Sequence, residues 1–414
     1  SENVNMSVRW KTLMTLYVEV ENLHFIAPGA IRTGKYASTP KLFWQKNDKV
    51  AFWNQLQKAV DLHFNTIDRM AASEPGQLYD SLLSYSLSEH QGHSKNLSHR
   101  VRALPEQMQN YVTSMSRRQY PVLMEPRGQC GFGATQERRP VLLLAIKTSV
   151  HNYKKRQAIR KSWGRADWVW AQRGRGERRG AYVHRIFLLG TERSPELRDI
   201  FSEMLHYENQ QYGDILQWDI DTCGHVSFVF EGDDEVFVNT PAMVSLLQEQ
   251  LQRPPANSSL QDFMMGHMVY GGQPNRNSDS QEFIPESFYR GWYPSYARGT
   301  GRLSSALLLR RLLQVSHRVH LFPIEQVYVG MCLIRLNLSP SHHPAFLPSN
   351  WTKEREKQPC AVHRVLLLQT HSPTHMLHLW DSLNTNTGLC SNVIVAPVTV
   401  KKITNSERER KHVF

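Results

Sequence analysis

The chain has 414 residues, of which 40% are hydrophobic and 21% charged, so it is long and apolar enough to bury a sizeable core. Lysine and arginine outnumber aspartate and glutamate by 49 to 37, and the net charge of +12 excludes a chain that acts mainly as an acidic, solvating tail. The excess favours an anionic partner, and composition leaves nucleic acid, a membrane surface and a phosphate-bearing small molecule open. Five cysteines without a CxxC pair are too few for a disulfide scaffold and lack that zinc-binding spacing.

The first third of the chain carries no evident chemistry. Residues 1–40 are predicted to be a stem or the remnant of a membrane-anchor region, and residues 41–125 an accessory region. Within the accessory region Phe52, Leu56 and Val60 recur at helical spacing, which predicts a helix with one buried face. No apolar run reaches the roughly 20 residues that a membrane-spanning helix needs, so the place of any anchor stays open.

The pattern changes at Pro140, where continuous apolar runs begin. Residues 141–146 (VLLLAI) and 185–190 (RIFLLG) are typical of strands buried on both faces, and residues 154–163 between them have helical spacing. This strand–helix–strand order predicts an α/β sheet with a right-handed crossover. The basic stretch 173–180 (RGRGERRG) is interpreted as a solvated loop, with RNA contact as the alternative.

Further along, the same spacing arguments predict alternating helices and strands. They predict a helix over 195–211, a strand over 214–220, a strand over 262–269, an aromatic loop over 283–296, a helix over 304–315, and a strand followed by a helix over 365–383. Residues 391–414 have no core pattern and are predicted to be a basic tail.

An acidic triplet, Asp233, Asp234 and Glu235, follows the buried run VSFVF and precedes the apolar VFV. Ligands of α/β sheets usually bind beyond the carboxyl ends of strands, which is where this triplet would lie. Three adjacent carboxylates repel one another unless a cation or hydrogen-bond donors neutralise them, and their oxygens suit Mg²⁺ or Mn²⁺ bridging to phosphates. We therefore interpret the triplet as a metal site, with an exposed acidic hairpin turn as the alternative.

Two arginines in the predicted helix are also candidates for binding. Arg156 and Arg160 are four residues apart and share a helix face, with Trp163 about one turn further on. Guanidinium groups bind phosphate oxygens bidentately, so the pair could clamp a diphosphate. Two solvated arginines are an equally good interpretation of the spacing.

Six segments in the C-terminal two thirds stand in a recognisable order: KKRQAIRKSWG (154–164), IFLLG (186–190), EGDDEVFVN (231–239), WYPSYA (292–297), HLFPIEQVYVGMCL (320–333) and PSHHPAF (340–346). Together they resemble the motifs of the Golgi β-1,3-glycosyltransferase family, most closely its β-1,3-N-acetylglucosaminyltransferases. The resemblance implies a GT-A-like α/β fold over 126–390, with a mixed, mostly parallel sheet flanked by helices.

The activity that the resemblance implies is inverting transfer of N-acetylglucosamine from UDP-GlcNAc to the 3-hydroxyl of a galactose-terminated glycan, of the N-acetyllactosamine or poly-lactosamine type, in protein glycosylation. Mn²⁺ would be the cofactor. The implied setting is the Golgi membrane, with a single-pass type II anchor and a lumenal catalytic domain. Homo- and heterodimers stay open, and a nucleic-acid partner is not expected.

The resemblance also assigns roles to residues at matching positions. Glu235 would be the main metal ligand and His343 would complete the metal site, while Asp233 and Asp234 would lie towards the ribose and diphosphate. The remaining positions are Ala145, Lys147, Arg156 and Arg160 on the donor side, Tyr293 and Tyr296 on the acceptor side, and Cys130–Cys223 and Cys332–Cys360 as disulfides, with Cys390 left over.

The predicted catalytic base departs from the family pattern. Inverting transfer needs a base for the acceptor hydroxyl, and the family uses an aspartate in a PIDDVY-type motif. Residues 323–328 read PIEQVY here, so Gln326 stands at the base position beside Glu325. A carboxamide does not accept a proton at neutral pH, whereas a carboxylate does. Glu325 and Gln326 are therefore the candidate catalytic residues.

Three further departures fall nearby. Glu235 stands where the family has aspartate, and residues 298–301 (RGTG) replace a glycine run. Only residues 221–225 separate the strand predicted over 214–220 from the buried run VSFVF, 226–230. Neighbouring parallel strands need a crossover of about a dozen residues. Either the sheet is locally rearranged or these strands are not neighbours.

The functional hypotheses are a transferase, a relative that binds nucleotide sugar or glycan without turnover, and, from charge alone, a nucleic-acid binder.

Overall fold

The structure is a computed structural model that describes residues 51–64, 101–114, 140–172, 180–189, 210–211, 226–252, 260–347, 351–370, 372–385, 389–390 and 395. The α-helices are Phe52–Phe64 (α1), Glu106–Ser114 (α2), Tyr153–Lys161 (α3), Thr240–Gln252 (α4), Ala306–Ser316 (α5), Glu325–Arg335 (α6), Lys353–Glu356 (α7) and Pro373–Thr385 (α8). The strands are Pro140–Thr148 (β1), Asp167–Trp170 (β2), Gly180–Leu189 (β3), Gln210–Gln211 (β4), Phe228–Asp233 (β5), Val236–Val238 (β6), Met264–Val269 (β7), Tyr296–Ser305 (β8), Ser341–His342 (β9), Phe346–Leu347 (β10) and Leu367–Gln369 (β11).

The chain divides into two compact units, each assembled from segments that are distant in sequence. The first comprises Ser1–Arg118, Gly271–Pro294 and Leu312–Ser339, and the second comprises Gln119–Tyr270, Ser295–Arg311 and Pro340–Phe414. The predicted stem, residues 1–40, lies outside the described residues, and so does the predicted tail apart from Val395.

In the first unit, α1 has the buried face that its spacing predicts. Phe52, Leu56 and Val60 are all buried. Between them Trp53 donates from its indole Nε1 to the carbonyl of Leu321 at 3.0 Å, so a buried polar group is satisfied while the ring packs in the core. The predicted helix is confirmed.

The helix α6 carries Glu325 and Gln326 on its first turn, and its other end is fixed to α1. Arg335 is buried and forms an ion pair of 2.6 Å with Asp61. The hydroxyl of Tyr328 donates to the carbonyl of Ser316 at 3.1 Å. These contacts set the position of α6 within the first unit.

The described part of the second unit is built on a mixed sheet of eight strands in the order β2-β3-β1-β5-β8-β7-β9, with β4 pairing to β3. The neighbours of β1 on both sides, β3 and β5, are parallel to it, while β8 is antiparallel to both β5 and β7. β1 lies inside the sheet and its apolar run is buried almost continuously, as expected for a strand whose two faces are both covered. The predicted α/β fold with helices packed on a mixed sheet is confirmed.

A second, smaller sheet has the order β10-β11-β6. Its member β6 follows β5 after a turn of two residues, Asp234 and Glu235, so this turn joins the large sheet to the small one. The strands β5 and β6 do not pair with each other in these two sheets, and the interpretation of the acidic triplet as an exposed hairpin turn is therefore wrong.

Two predicted element boundaries need correction. Residues Gln210 and Gln211 are the strand β4, paired with β3, and not the end of the helix predicted over 195–211. Similarly, Ser304 and Ser305 end β8, and the helix predicted from 304 begins at Ala306. Pairing with a neighbouring strand outweighs local helix propensity at both places.

The short connection before β5 also finds a partial explanation. Residues 214–220 lie outside the described residues, but β5 has β1 on one side and β8 on the other. Both of its edges are occupied, so a strand over 214–220 would not be a neighbour of β5. Of the two alternatives, non-adjacent strands fit the structure.

A buried histidine makes the stability of this sheet depend on pH. His184 on β3 is 6% exposed, and its Nε2 has no hydrogen-bond partner among the described residues. Burial, and then the charge of Arg185, lower the pKa of His184 to about 4 from an ordinary value of 6.5. The folded state therefore loses stability as the pH falls from 6.5 to about 4, because only the unfolded chain accepts the proton in that window.

We expect His184→Leu to remove that dependence. Between pH 7.5 and 5.0, the free energy of unfolding of the parent chain should fall by roughly 2 kcal/mol more than that of the variant. Urea unfolding at the two pH values measures the difference. Equal losses in the two proteins would contradict the assignment of this proton to His184.

The disulfide prediction is wrong where the structure tests it. Cys360 is bonded to Cys390, with a Cα–Cα distance of 5.5 Å and a sequence separation of 30 residues. That distance suits a disulfide, and a bonded Cys360 is no longer available to Cys332, which keeps a buried thiol on α6. Cys390 is therefore a bonding partner and not the cysteine left over. The predicted pair of Cys130 and Cys223 lies outside the described residues.

Removing this disulfide is expected to destabilise the chain. In the loop-entropy model, Cys360→Ser combined with Cys390→Ser should lower the free energy of unfolding by roughly 3–4 kcal/mol, because the unfolded chain regains the freedom of the closed loop. Denaturant unfolding without reductant measures the loss. Cys332→Ala is the control because it leaves the bond between Cys360 and Cys390 intact. The stability of this variant should therefore still fall when reductant is added. If the double variant matched the parent protein, the assigned bond would be wrong.

Candidate functional site

The acidic turn lies at the carboxyl end of β5, beside the carboxyl end of β1. Asp233 is in register with Lys147 on β1, and the backbone N–H of Asp234 donates to the carbonyl of Lys147 at 3.0 Å. Two adjacent parallel strands therefore end at the same edge of the sheet, which is where α/β proteins commonly bind ligands.

Asp234 is the centre of a hydrogen-bond network that joins three segments. Its Oδ2 accepts from Thr148 Oγ1 at 2.5 Å and from Asn152 Nδ2 at 2.8 Å, and its Oδ1 lies 3.4 Å from Lys155 Nζ. Asn152 is the N-cap residue of α3, yet its side chain makes no capping bond and serves Asp234 instead. Since Asp234 is 4% exposed, its carboxylate is committed to holding the turn against β1 and α3.

Glu235 differs from Asp234 because its side chain is exposed. Its Oε1 lies 2.7 Å from Lys155 Nζ, with the Glu235 side chain 55% exposed and that of Lys155 25% exposed. Burial alone would lower the pKa of Lys155, but its hydrogen bond to Glu235 and the charges of Asp234 and Glu235 outweigh burial and raise it. Lys155 is therefore a firmly held ammonium group placed between two carboxylates.

A cavity of about 370 Å³ opens at this edge of the sheet. It is lined by residues 147–150, Asn152 and residues 233–235, which come from the ends of β1 and β5, the acidic turn and the start of α3. The size suits a small polar ligand, and the amino terminus of a helix favours anionic groups. The predicted residues Lys147, Asp233, Asp234 and Glu235 are thus brought together here.

The other donor-side predictions have different surroundings. Arg156 is 1% exposed and donates to the carbonyls of Ser149 at 2.5 Å and Val150 at 3.2 Å, so it shapes the loop that lines the cavity. Arg160 lies 4.8 Å from the ring centroid of Phe187 on β3. The two arginines hold different parts of the unit, and the interpretation of Arg156 as a solvated side chain is wrong.

Ala145 occupies the middle of β1, two residues before the cavity begins. It is fully buried and lies between Ile186 on β3 and Glu231 on β5. A methyl group at this position packs between strands, and Ala145 is not among the residues that line the cavity.

His343, the second predicted metal ligand, is fully buried immediately after β9. Burial, and then the charge of His342, lower the pKa of His343 to about 4, so the ring is neutral at pH 7. Its Nδ1 accepts from the backbone N–H of Ala345 at 3.1 Å, which leaves the ring proton on Nε2. To ligate a cation through Nε2, His343 would have to change tautomer and give up the bond from Ala345.

The oxygen atoms of the acidic turn fit a hard divalent cation better than the histidine does. All three acidic residues line the cavity, but both oxygens of Asp234 already accept from donors on β1 and α3, and Glu235 is paired with Lys155. In the described part of the chain, no three His, Cys, Asp or Glu side chains are grouped to hold a metal ion. A cation here would therefore need substrate oxygens as well, as Mg²⁺ and Mn²⁺ usually do at phosphate sites.

The predicted catalytic and acceptor residues lie on other segments. Glu325 is exposed and Gln326 half-buried at the start of α6, in the first unit. Tyr293, also in the first unit, is 5% exposed and packs its ring 5.7 Å from those of Tyr289 and Phe322. Tyr296 begins β8 in the second unit and is paired with Val269.

Comparison with known proteins identifies the family. The model of the galactosyltransferase family matches residues 154–223 and 218–344. A mouse protein named N-acetyllactosaminide β-1,3-N-acetylglucosaminyltransferase 2 is 31% identical over 363 residues, covering 82% of this chain and 86% of the relative. The human N-acetyllactosaminide β-1,3-N-acetylglucosaminyltransferase 4 is 34% identical over 308 residues, covering 69% and 74%.

The chain belongs to the galactosyltransferase family. It is a glycosyltransferase, as the names of its relatives indicate. A third relative, the mouse acetylgalactosaminyl-O-glycosyl-glycoprotein β-1,3-N-acetylglucosaminyltransferase, is 32% identical over a stretch that covers 73% of this chain and 79% of the relative. The resemblance found in the sequence is therefore confirmed. None of the helices in the described ranges combines the length and apolar character that crossing a membrane requires.

The galactosyltransferase family match contains the whole acidic turn, Lys155, Glu325, Gln326 and His343. The two matched stretches overlap at residues 218–223, in the short connection that precedes β5. The sequence analysis missed two partners of Asp234, namely Lys155 within the matched region and Asn152 just before it. The only available signal was their place just after the buried strand β1, since a separation of about 80 residues leaves no periodicity to detect.

Proposed function

We propose that this glycosyltransferase catalyses inverting transfer of N-acetylglucosamine from UDP-GlcNAc to the 3-hydroxyl of a galactose-terminated glycan, of the N-acetyllactosamine or poly-lactosamine type, in protein glycosylation. The observation that carries the proposal is the acidic turn, which lies within the region that matches the family, beside a cavity at the carboxyl ends of β1 and β5. The relatives' names support the sugar and the linkage.

The residues around the cavity would hold the donor. The ammonium of Lys147 and the amino terminus of α3 favour an anionic group such as a diphosphate. Arg156 and Asp234 fix the cavity wall, because one is bonded to the loop carbonyls and the other to Thr148 and Asn152. This wall is preorganised, so binding would order few side chains.

Mn²⁺ is part of the proposal, with Asp233 and Glu235 as its protein oxygen ligands and His343 as a nitrogen ligand only after a change of tautomer. Such a cation would neutralise negative charge on the diphosphate leaving group. The remaining task for the protein is to accept the proton of the acceptor hydroxyl. We assign it to Glu325, because the carboxamide of Gln326 at the family's base position does not accept protons at neutral pH.

A second candidate is a catalytically impaired relative that binds nucleotide sugar or glycan without turnover. Gln326 favours it, since this residue stands where the family has its catalytic aspartate. The two candidates differ in whether Glu325 substitutes for that aspartate. Side chains at adjacent helix positions point about 100° apart, so the carboxylate of Glu325 is directed differently from a side chain at position 326.

The test is transfer from UDP-GlcNAc to an N-acetyllactosamine acceptor with Mn²⁺, in the parent chain, Glu325→Gln and Gln326→Asp. We expect measurable transfer by the parent chain and a loss of about 100-fold or more in Glu325→Gln. Transfer by Gln326→Asp alone would establish the impaired relative. Binding of UDP by isothermal titration calorimetry is the parallel measurement, because inactivity in every variant together with lost UDP binding would overturn both candidates.

The cellular setting is proposed on the same basis. We place the protein in the Golgi membrane as a single-pass type II protein with its catalytic domain in the lumen, working as a homo- or heterodimer. The disulfide between Cys360 and Cys390 supports an oxidising compartment. Fluorescence microscopy of the full-length protein with a Golgi marker checks the location.

A further inference from the structure

Lys155 forms ion pairs with two carboxylates of the acidic turn, Glu235 and Asp234. Its Nζ lies 2.7 Å from Glu235 Oε1 and 3.4 Å from Asp234 Oδ1, and the side chain is only 25% exposed. Since a carboxylate draws a cation to itself at short range, this ammonium already neutralises part of the charge that the proposed metal ion would neutralise.

Of the other cationic groups nearby, Lys147 lines the same cavity in register with Asp233, whereas two arginines contact other parts of the unit. Arg156 donates to the loop carbonyls of Ser149 and Val150, and Arg160 lies over the ring of Phe187. Lys154, next to Lys155 on α3, is exposed. Lys155 is therefore the cation whose removal would change the charge at Glu235 most directly.

The two carboxylates beside Lys155 are not equally available to a new cation. Both oxygens of Asp234 are engaged, Oδ2 with Thr148 and Asn152 and Oδ1 with Lys155. Glu235 is more than half exposed, and among the residues that the structure describes its side chain is paired with Lys155. A divalent cation bound through Glu235 would meet the ammonium at the same carboxylate, and two positive charges at such short range repel each other.

We propose that Lys155 determines the cation affinity of this site: its ammonium holds the Glu235 carboxylate and has to be displaced before a divalent cation binds there. The inference rests on the proposed function, in which Glu235 is a cation ligand. Lys155 is thus a positioning residue that acts through Glu235. It lowers the affinity for the cation in the absence of donor and keeps the carboxylate oriented.

The consequence is that removing the charge of Lys155 strengthens cation binding, whereas a merely structural lysine would give no such gain. Lys155→Met keeps the length and apolar stem of the side chain but removes the ammonium. We expect it to bind Mn²⁺ at least about tenfold more tightly than the parent chain. Lys155→Arg retains the charge and should stay close to the parent affinity. Lys154→Met is the matched control, with the same loss of charge at the neighbouring, exposed position.

The experiment is a titration of each protein with Mn²⁺ alone, followed by electron paramagnetic resonance of the free ion, and repeated with UDP present. Tighter binding by Lys155→Met, with Lys154→Met and Lys155→Arg near the parent value, supports the proposal. Equal or weaker Mn²⁺ binding by Lys155→Met overturns it, as does absence of Mn²⁺ binding in all four proteins at millimolar metal.

Two further measurements separate this inference from its alternatives. If Lys155 instead bound the donor diphosphate, Lys155→Met would weaken UDP binding at saturating Mn²⁺ without any gain in Mn²⁺ affinity, and the proposal would fail. Thermal unfolding of the variants shows whether each one folds. Because the titration does not depend on turnover, a chain that gains Mn²⁺ affinity but transfers no sugar would contradict the proposed function and leave the role of Lys155 supported.

Discussion

Arg302→Met is expected to lower the free energy of unfolding by about 3–5 kcal/mol, because it leaves a buried carboxylate without its counter-charge. Arg302 on β8 faces Glu231 on β5, with Nε and Oε2 2.6 Å apart and both side chains almost completely buried. The second oxygen of Glu231, Oε1, has no hydrogen-bond partner among the described residues, so nothing else there would take over from the guanidinium. Urea unfolding at pH 7.5 measures the loss.

Two variants show whether burial is the cause. Arg311→Met breaks an ion pair with Asp262 whose side chains are about one fifth exposed, and we expect it to cost roughly 1 kcal/mol or less. The double change Glu231→Leu with Arg302→Met removes both charges and should recover most of the stability lost in the single variant. A loss below about 1 kcal/mol in Arg302→Met would show that the pair contributes no more than a surface ion pair.

Asp234→Asn is expected to weaken UDP binding at least about tenfold and to lower the free energy of unfolding by roughly 2–3 kcal/mol. Asparagine keeps the shape but replaces one acceptor oxygen by an NH₂ group. Donors face both oxygens of Asp234, Thr148 and Asn152 on one side and Lys155 on the other, so the NH₂ group meets a donor in either orientation. The turn should then separate from β1 and distort the cavity wall.

Calorimetric titration with UDP and urea unfolding are the two measurements. Asp279→Asn, the same change at an exposed loop position, is the control and should alter neither. A variant with normal stability and normal UDP affinity would show that the network around Asp234 is dispensable.

The elements that the sequence predicts well are those with a strong local pattern. The buried run of β1, the helix face of α1 and the apolar flanks of the acidic turn each follow from side-chain spacing over a few residues. The strand β4 was missed because Gln210 and Gln211 have no strand propensity of their own and extend only by pairing with β3.

The candidate site could be predicted only in part, because a sequence pattern reveals residues that are close together in the chain and not those that the fold brings together. The three acidic residues are adjacent in sequence, so their proximity needed no fold, and the family motifs drew attention to Lys147 and Arg156. The ion pair of Lys155 with Glu235 spans 80 residues and follows only from the parallel pairing of β1 with β5. The disulfide partner of Cys360 was equally inaccessible, since several pairings of five cysteines satisfy the sequence.

The small sheet has a consequence for how the site is spaced. Glu235 directly precedes β6, and its carbonyl accepts bonds from both the N–H and the hydroxyl of Thr370, just after β11. On the far edge of the same sheet, β10 begins three residues after His343. The middle strand β11 pairs with β10 on one side and with β6 on the other. It therefore sets the spacing between the two segments that are proposed to reach the cation. A change that disrupts the backbone pairing at Leu367 or Leu368 would therefore move the two segments relative to each other without touching either proposed ligand.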